Sequence, residues 1–180
     1  MAQATQASQS QSKPSPLPAT GAIVSVVSPP DDVASVHIQK ESVINAPQAI
    51  VWEAVLAELG PESEMPDGKP FPFVLEAFPG GRWFRDLGNN AGHLWGHVQV
   101  IKPPALIELC GPMFMSYAAT NFLQYRLTPE GDDRTRLKLT HRAIGQIPKD
   151  HQAGMTEGWE FIFKKIEEIA KRIQNKKGGK

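Results

Sequence analysis

Trp159-Glu160-Phe161-Ile162-Phe163-Lys164-Lys165-Ile166-Glu167-Glu168-Ile169-Ala170-Lys171-Arg172-Ile173 is the stretch that decides the fold of this chain. Trp159, Ile162, Phe163, Ile166, Ile169, Ala170 and Ile173 recur at i, i+3, i+4 and i+7, which gathers apolar side chains on one face of a helix. Glu160 and Lys164, Glu167 and Lys171, and Glu168 and Arg172 lie four residues apart and predict acid-to-base pairs along the opposite face. The spacing predicts a long amphipathic helix that begins near residues 148–150. Gly154 and Gly158 sit one turn apart inside it and lower its propensity by about 1 kcal/mol each. Such a loss makes sense where another backbone or a cavity mouth lies close. The basic stretch Asn175-Lys176-Lys177-Gly178-Gly179-Lys180 is expected to be a frayed tail.

A long helix with one apolar face needs a surface to bury it against, and the preceding chain supplies strands. Residues 35–44 read as a strand carrying Val36, Ile38 and Val43. Asn45-Ala46-Pro47 then opens a short helix, with Pro47 in its first turn and Asn45 or Ala46 as cap. Its apolar set, Ile50, Val51, Trp52, Ala54, Val55, Leu56 and Leu59, covers most of the circumference before Gly60-Pro61 stops it. Residues 71–78 and 82–87 form a hairpin around Pro79-Gly80-Gly81, and Gly88-Asn89-Asn90 turns into a strand over 92–101. Lys102-Pro103-Pro104 interrupts before 106–110. A last hairpin joins 121–128 to 134–143, and its parity aims Leu123, Tyr125, Leu127, Leu137, Leu139 and His141 inward. The order implies an α+β fold: a curved antiparallel β-sheet wrapped around a long C-terminal α-helix, with a short helical segment after the first strand. The two layers enclose a core that can open into a cavity.

Composition narrows the class. The 180 residues carry 19 Lys+Arg against 19 Asp+Glu, so no global positive field exists to hold a nucleic acid or an anionic membrane face. No apolar run approaches the roughly 20 residues that span a bilayer, and no basic n-region precedes a long apolar segment at the start. The single cysteine, Cys110, closes no intrachain disulfide, which agrees with a reducing, cytoplasmic setting. Residues 1–32, rich in Ala, Gln, Ser and Pro, are expected to be disordered, although 22–27 could add an edge strand. The packed domain is expected over 33–174, with 175–180 as the basic tail.

The chemistry-bearing residues are few. His93 and His97 have a chelating spacing only on a helix; in the strand expected there, four residues span about 13 Å. Cys110 lacks any neighbour that would lower its pKa and reads as a buried, inert thiol. His37 and His151 read as surface histidines. His141, inward in an otherwise apolar row, is expected to be a satisfied core histidine or a ligand contact. Tyr125 has the same two readings. Trp83, Trp95, Met113, Phe114, Met115 and Tyr117 are candidates for an adaptable apolar pocket, with ordinary core as the alternative. Arg82 and Arg85, with Asp86 and Glu76, predict a cross-strand ion pair or an anion-binding mouth. No phosphate-cradling loop, nucleophile elbow or dinucleotide fingerprint occurs.

Several motifs resemble those of the START-like SRPBCC superfamily, whose fold is called helix-grip. The opening Asn45-Ala46-Pro47-Gln48-Ala49-Ile50-Val51-Trp52 is similar to its start. Phe78-Pro79-Gly80-Gly81-Arg82-Trp83, Trp95-Gly96-His97-Val98 with Pro103-Pro104, Thr135-Arg136-Leu137-Lys138-Leu139-Thr140-His141 and Glu157-Gly158-Trp159 resemble its branch of homologues of the activator of the heat-shock protein 90 ATPase. The likeness covers residues 36–172. It implies a cavity between sheet and long helix; with no catalytic motif in the sequence, the expectation is a non-catalytic protein that holds a small hydrophobic or amphipathic molecule there, without a metal or other cofactor. Glu76, Arg82, Trp83, Trp95, Met113, Met115, Tyr117, Tyr125, His141 and Trp159 are the cavity candidates. Two alternatives stand beside it. One is a protein-interaction module or chaperone partner; the other is a cyclase, dehydratase or hydrolase using His141, Tyr125 or Glu76 as acid and base.

Overall fold

A computed structural model describes residues 33–113 and 118–178. The expected disordered segment 1–32, its edge strand over 22–27, and Phe114, Met115 and Tyr117 lie outside the described residues. The elements run β1 (Ala34–Ile44), α1 (Gln48–Glu58), β2 (Val74–Leu75), β3 (Arg82–Gly88), β4 (Ala91–Lys102), β5 (Leu106–Gly111), β6 (Ala119–Pro129), β7 (Thr135–Gly145) and α2 (Lys149–Gly178). All strands join one antiparallel sheet in the order β1-β7-β6-β5-β4-β3-β2.

The period-2 pattern of the last hairpin sets the inner face. Leu123 pairs with His141, Tyr125 with Leu139 and Leu127 with Leu137, and all six are buried, while Phe122 and Ile144 face outward. Register shifts at Trp83/Phe84, Asp86/Gly88 and Val98/Val100 put irregularities into β3 and β4. Such bulges bend strands and add twist, and the sheet curves around α2 in the helix-grip arrangement. Phe163, Ile166, Ile169 and Ala170 of α2 pack with Val51, Val55, Leu127, Leu137 and Leu139 in one core.

Local chemistry moves several boundaries. The start of α1 has Pro47 at its cap position with no side-chain cap; the Pro47 carbonyl accepts from both Ile50 and Val51. Asn45 and Ala46 do not cap it. The Ala46 carbonyl instead accepts from the buried Thr135 hydroxyl at 2.8 Å, tying the helix start to β7. The strand expected over 71–78 shrinks to Val74–Leu75 because the Phe71 and Phe73 amides donate to Ser63 and Gly60 carbonyls rather than to β3. At the other end α2 continues to Gly178, inside the stretch expected to fray, and Lys177 meets Glu53 of α1 at 2.6 Å.

The charges on α2 also choose different partners. Glu160 pairs with Lys40 of β1 at 3.6 Å, Lys165 with Glu64 at 2.7 Å, and Arg172 with Glu62. Glu160 and Arg172 thus pair with other elements instead of with Lys164 and Glu168, since β1 and the α1–β2 connection bring counter-charges to the flanks of α2. Exposed pairs of this kind contribute little each.

One close approach in the sheet has no slack. A Cβ on Gly111 would lie 2.4 Å from Gly96 Cα and 2.6 Å from the Trp95 carbonyl oxygen. Both obstacles are backbone, so Gly111→Ala is expected to lower stability by about 1–3 kcal/mol, as overpacked cores do. Chemical denaturation measures it, and an unchanged midpoint would show that β4 and β5 can separate at this point.

Candidate functional site

The C-terminal half of α2 fills the grip, whereas its N-terminal half spans a hollow. A cavity of about 760 Å³ lies there, bounded by the end of α1, the α1–β2 connection, the inner face of the sheet and residues 148–162. Gly154 and Gly158 line it, and a methyl group added at either would meet no atom within 4 Å. The two glycines border open space and have no close backbone beside them. A second recess of about 810 Å³ beside Asn45, Glu167, Lys171 and Gln174 is lined chiefly by polar side chains.

Aromatic side chains build one wall. Phe73 sits 4.5 Å from Trp95 and 5.1 Å from Trp83, and the two indoles are 5.2 Å apart, centre to centre. Phe71 extends the group edge-on at 5.4 Å from Phe73. Tilted and edge-to-face contacts of this kind suit the ring quadrupoles. The Trp83 indole N–H donates to the Leu59 carbonyl at 2.7 Å, and the Arg85 guanidinium covers Phe71 at 3.6 Å, so both rings are held.

Another part of the lining is polar in a controlled way. The Trp159 indole N–H on α2 donates to His141 Nδ1 at 3.1 Å, and His141 Nε2 lies 2.8 Å from Asn121 Oδ1. An acceptor Nδ1 requires the proton on Nε2, so that nitrogen donates to Asn121. The Asn121 amide in turn donates to the Gly111 and Pro112 carbonyls at 3.3 and 3.2 Å. This chain runs from α2 through β7 and β6 to the end of β5 and uses both ring nitrogens. Burial pushes His141 down to about 4, so the ring is neutral near pH 7.

Two further polar groups face the cavity without such support. Glu58 is 5% exposed and Tyr125 is fully buried. Desolvation drives the Glu58 carboxyl up to about 8, opposed by the Lys165 ammonium. The same effect, with Glu58 second, holds the Tyr125 phenol well above its usual range. The Tyr125 hydroxyl has no hydrogen-bond partner among the described residues.

The structure brings Trp83, Trp95, Met113, Tyr125, His141 and Trp159 together around one space. Glu76 and Arg82 stay outside it, on either side of the hairpin turn. There the Arg82 guanidinium and amide both donate to the Glu76 carboxylate, at 3.0 and 2.9 Å for Oε2, which holds that carboxyl down at about 2. Met115 and Tyr117 fall outside the described residues. His93 and His97 are exposed along β4, and no group of metal-ligating side chains occurs among the described residues. Cys110 is half-buried rather than enclosed. His151, expected at the surface, is half-buried and lines the cavity. Phe71, Phe73 and Glu58 also line the cavity without having been singled out in the sequence, and Glu58 is the polar one among them. Its signal was its position: Val51, Val55 and Glu58 stand at i, i+4 and i+7, on the buried stripe of α1.

The architecture defines a helix-grip fold with a cavity between sheet and long helix. The chain is similar in structure to a protein of unknown function, SA2116, from Staphylococcus aureus, at a TM-score of 0.60 and 13% identity over 80% of this chain and 98% of that one. It is also similar to the Zhui aromatase/cyclase from Streptomyces sp. R1128, at a TM-score of 0.52 and 17% identity over 77% and 95%. Ara h 8.0201 matches at a TM-score of 0.55 and 14% identity over 76% and 98%. At these identities the likeness is one of fold. No protein-family model and no curated protein matches the chain.

The two buried titrations give opposite pH slopes. Glu58 ionises near 4.5 when unfolded and about 8 when folded, so its contribution is complete below 4.5 and lost as pH rises to about 8. For His141 the folded value of about 4 lies below the unfolded 6.5, so its contribution is complete above 6.5 and lost as pH falls toward 4. Glu58→Gln removes the first slope alone. Its stability relative to wild type is expected to rise by a few kcal/mol between pH 5 and about 8, read by urea denaturation at both pH values. A difference independent of pH would mean that Glu58 is ionised in the folded protein.

Proposed function

We propose that this protein is a non-catalytic binding protein of the START-like class. It holds a small hydrophobic or amphipathic molecule between the sheet and the N-terminal half of α2. The observation that supports this most is the cavity of about 760 Å³, walled by aromatic and apolar side chains with a few polar groups. That size and lining suit a small-molecule site. The two helix glycines add weight, because each lowers helix propensity by about 1 kcal/mol and leaves room in return.

A catalytic reading of the cavity finds less support. Glu76, the acid expected for it, is tied to Arg82 outside the cavity, and both nitrogens of His141 are committed to protein partners. The co-chaperone reading rests on motif resemblance alone.

Native mass spectrometry of the purified protein, with solvent extraction and titration of a lipophilic fluorescent probe, tests the binding reading. Gly158→Leu supplies the control. Its side chain projects into open space, so thermal stability should hold or rise by up to about 1 kcal/mol while probe affinity falls at least tenfold. Absence of any bound or bindable apolar molecule in the wild-type protein would overturn the proposal. So would full probe affinity in a folded Gly158→Leu variant.

A further inference from the structure

Three polar side chains of the lining, His141, Tyr125 and Glu58, are not equivalent. His141 gives Nδ1 to Trp159 and Nε2 to Asn121, and it has nothing left for a guest. The Tyr125 hydroxyl is buried without a partner among the described residues. Glu58, buried on α1, makes no hydrogen bond or ion pair among the described residues, while the neighbouring Lys165 ammonium pairs with Glu64 at 2.7 Å. Glu58 and Tyr125 therefore do not bond each other, although both line the same cavity.

An unpaired buried polar group is costly, and two beside one cavity call for a guest atom that satisfies both. A neutral carboxyl and a phenol each offer one O–H donor, and a carbonyl oxygen has two lone pairs to receive them. The same cavity carries the aromatic wall of Phe71, Phe73, Trp83 and Trp95, suited to flat apolar rings. We propose that Glu58 and Tyr125 together donate to one carbonyl oxygen of a neutral aromatic ligand whose rings lie against that wall. The assignment rests on the binding reading above and names the chemistry of its guest. A ligand carboxylate would need a cation at this position, and the nearby Lys165 is already paired.

Matched probes separate the possibilities. Acetylnaphthalene carries the carbonyl, isopropenylnaphthalene has the same shape without it, and naphthylethylammonium is the cationic analogue. Calorimetric or fluorescence titration of the full chain at pH 7 should show the ketone binding about tenfold tighter than the hydrocarbon. Tyr125→Phe and Glu58→Met should each bring that ratio toward one. Both variants should fold, since each removes a buried polar group that lacks a partner. Glu58→Gln keeps an N–H donor and should retain the preference.

A pH series adds a readout that packing alone would not move. Raising the pH through about 8 converts Glu58 from donor to carboxylate and should erase the ketone preference in wild type but not in Glu58→Gln. The groups facing Glu58 are Lys165 on α2, Tyr125 on β6 and His141 on β7, with Asp150, His151 and Glu64 around the same cavity. Neutral His141 and the raised Tyr125 keep their protonation states across that range. Equal ketone and hydrocarbon affinities, a ratio unmoved in both substitutions, or tightest binding by the ammonium would overturn the head-group assignment and leave the cavity reading intact. Failure of all three probes to bind would overturn both.

Discussion

The hydrogen bond from the Trp159 indole to His141 is the contact on which the hollow part of this structure depends. Elsewhere α2 is held by apolar packing, with Phe163, Ile166 and Ala170 pressed into the grip. Over the cavity that option is reduced, because filling the space would abolish it. A polar link to the sheet joins the helix to the far wall instead. It gains directionality by running on through Asn121 to the Gly111 and Pro112 carbonyls, so the helix, two strands and the end of a third share one orientation. A satisfied polar chain in a low-dielectric setting specifies geometry more sharply than interchangeable apolar contacts do.

The same setting divides the buried ionisable groups. Desolvation favours the neutral form of every one of them, and the partners decide what neutrality means for each. For His141 it fixes one tautomer between two protein neighbours. For Glu58 and Tyr125 it leaves hydrogen-bonding capacity unspent beside an aromatic wall. The Glu76 carboxyl, by contrast, is stabilised in its charged form by Arg82 at the surface. Four residues with overlapping chemistry thus divide into positioning, recognition and surface pairing by environment alone.

Much of the architecture was legible in the residue pattern because periodicity reports which face an element buries. Parity placed Leu123, Tyr125, Leu127, Leu137, Leu139 and His141 inward, and the 3.6-residue repeat marked α2. Depth and neighbourhood carry no such signal. Glu76 and Glu58 are each an acid near apolar residues in the chain; only tertiary packing puts one beside Arg82 at a hairpin turn and the other inside the cavity. Charge partners were misjudged for a related reason, since sequence spacing knows only the helix itself. Lys40, Glu62 and Glu64 come from segments far away in the chain. Gly154 and Gly158 were recognisable as a concession in helix propensity, and the structure shows open space beside them.

Those glycines also make α2 energetically uneven along its length. Its last turns are anchored on three sides, by the sheet, by α1 and by ion pairs at Glu62 and Glu53. Its first turns combine two residues of low helical propensity with an unfilled space below, and they lean on the smaller cluster of Ala143, Ile147 and Met155. Local opening follows the weakest contacts first. Backbone amides near Gly154 should therefore exchange with solvent through partial fraying of the helix, whereas those near Ile166 should exchange only when the whole domain unfolds. The element that closes the cavity is thus also the segment most easily lifted from it.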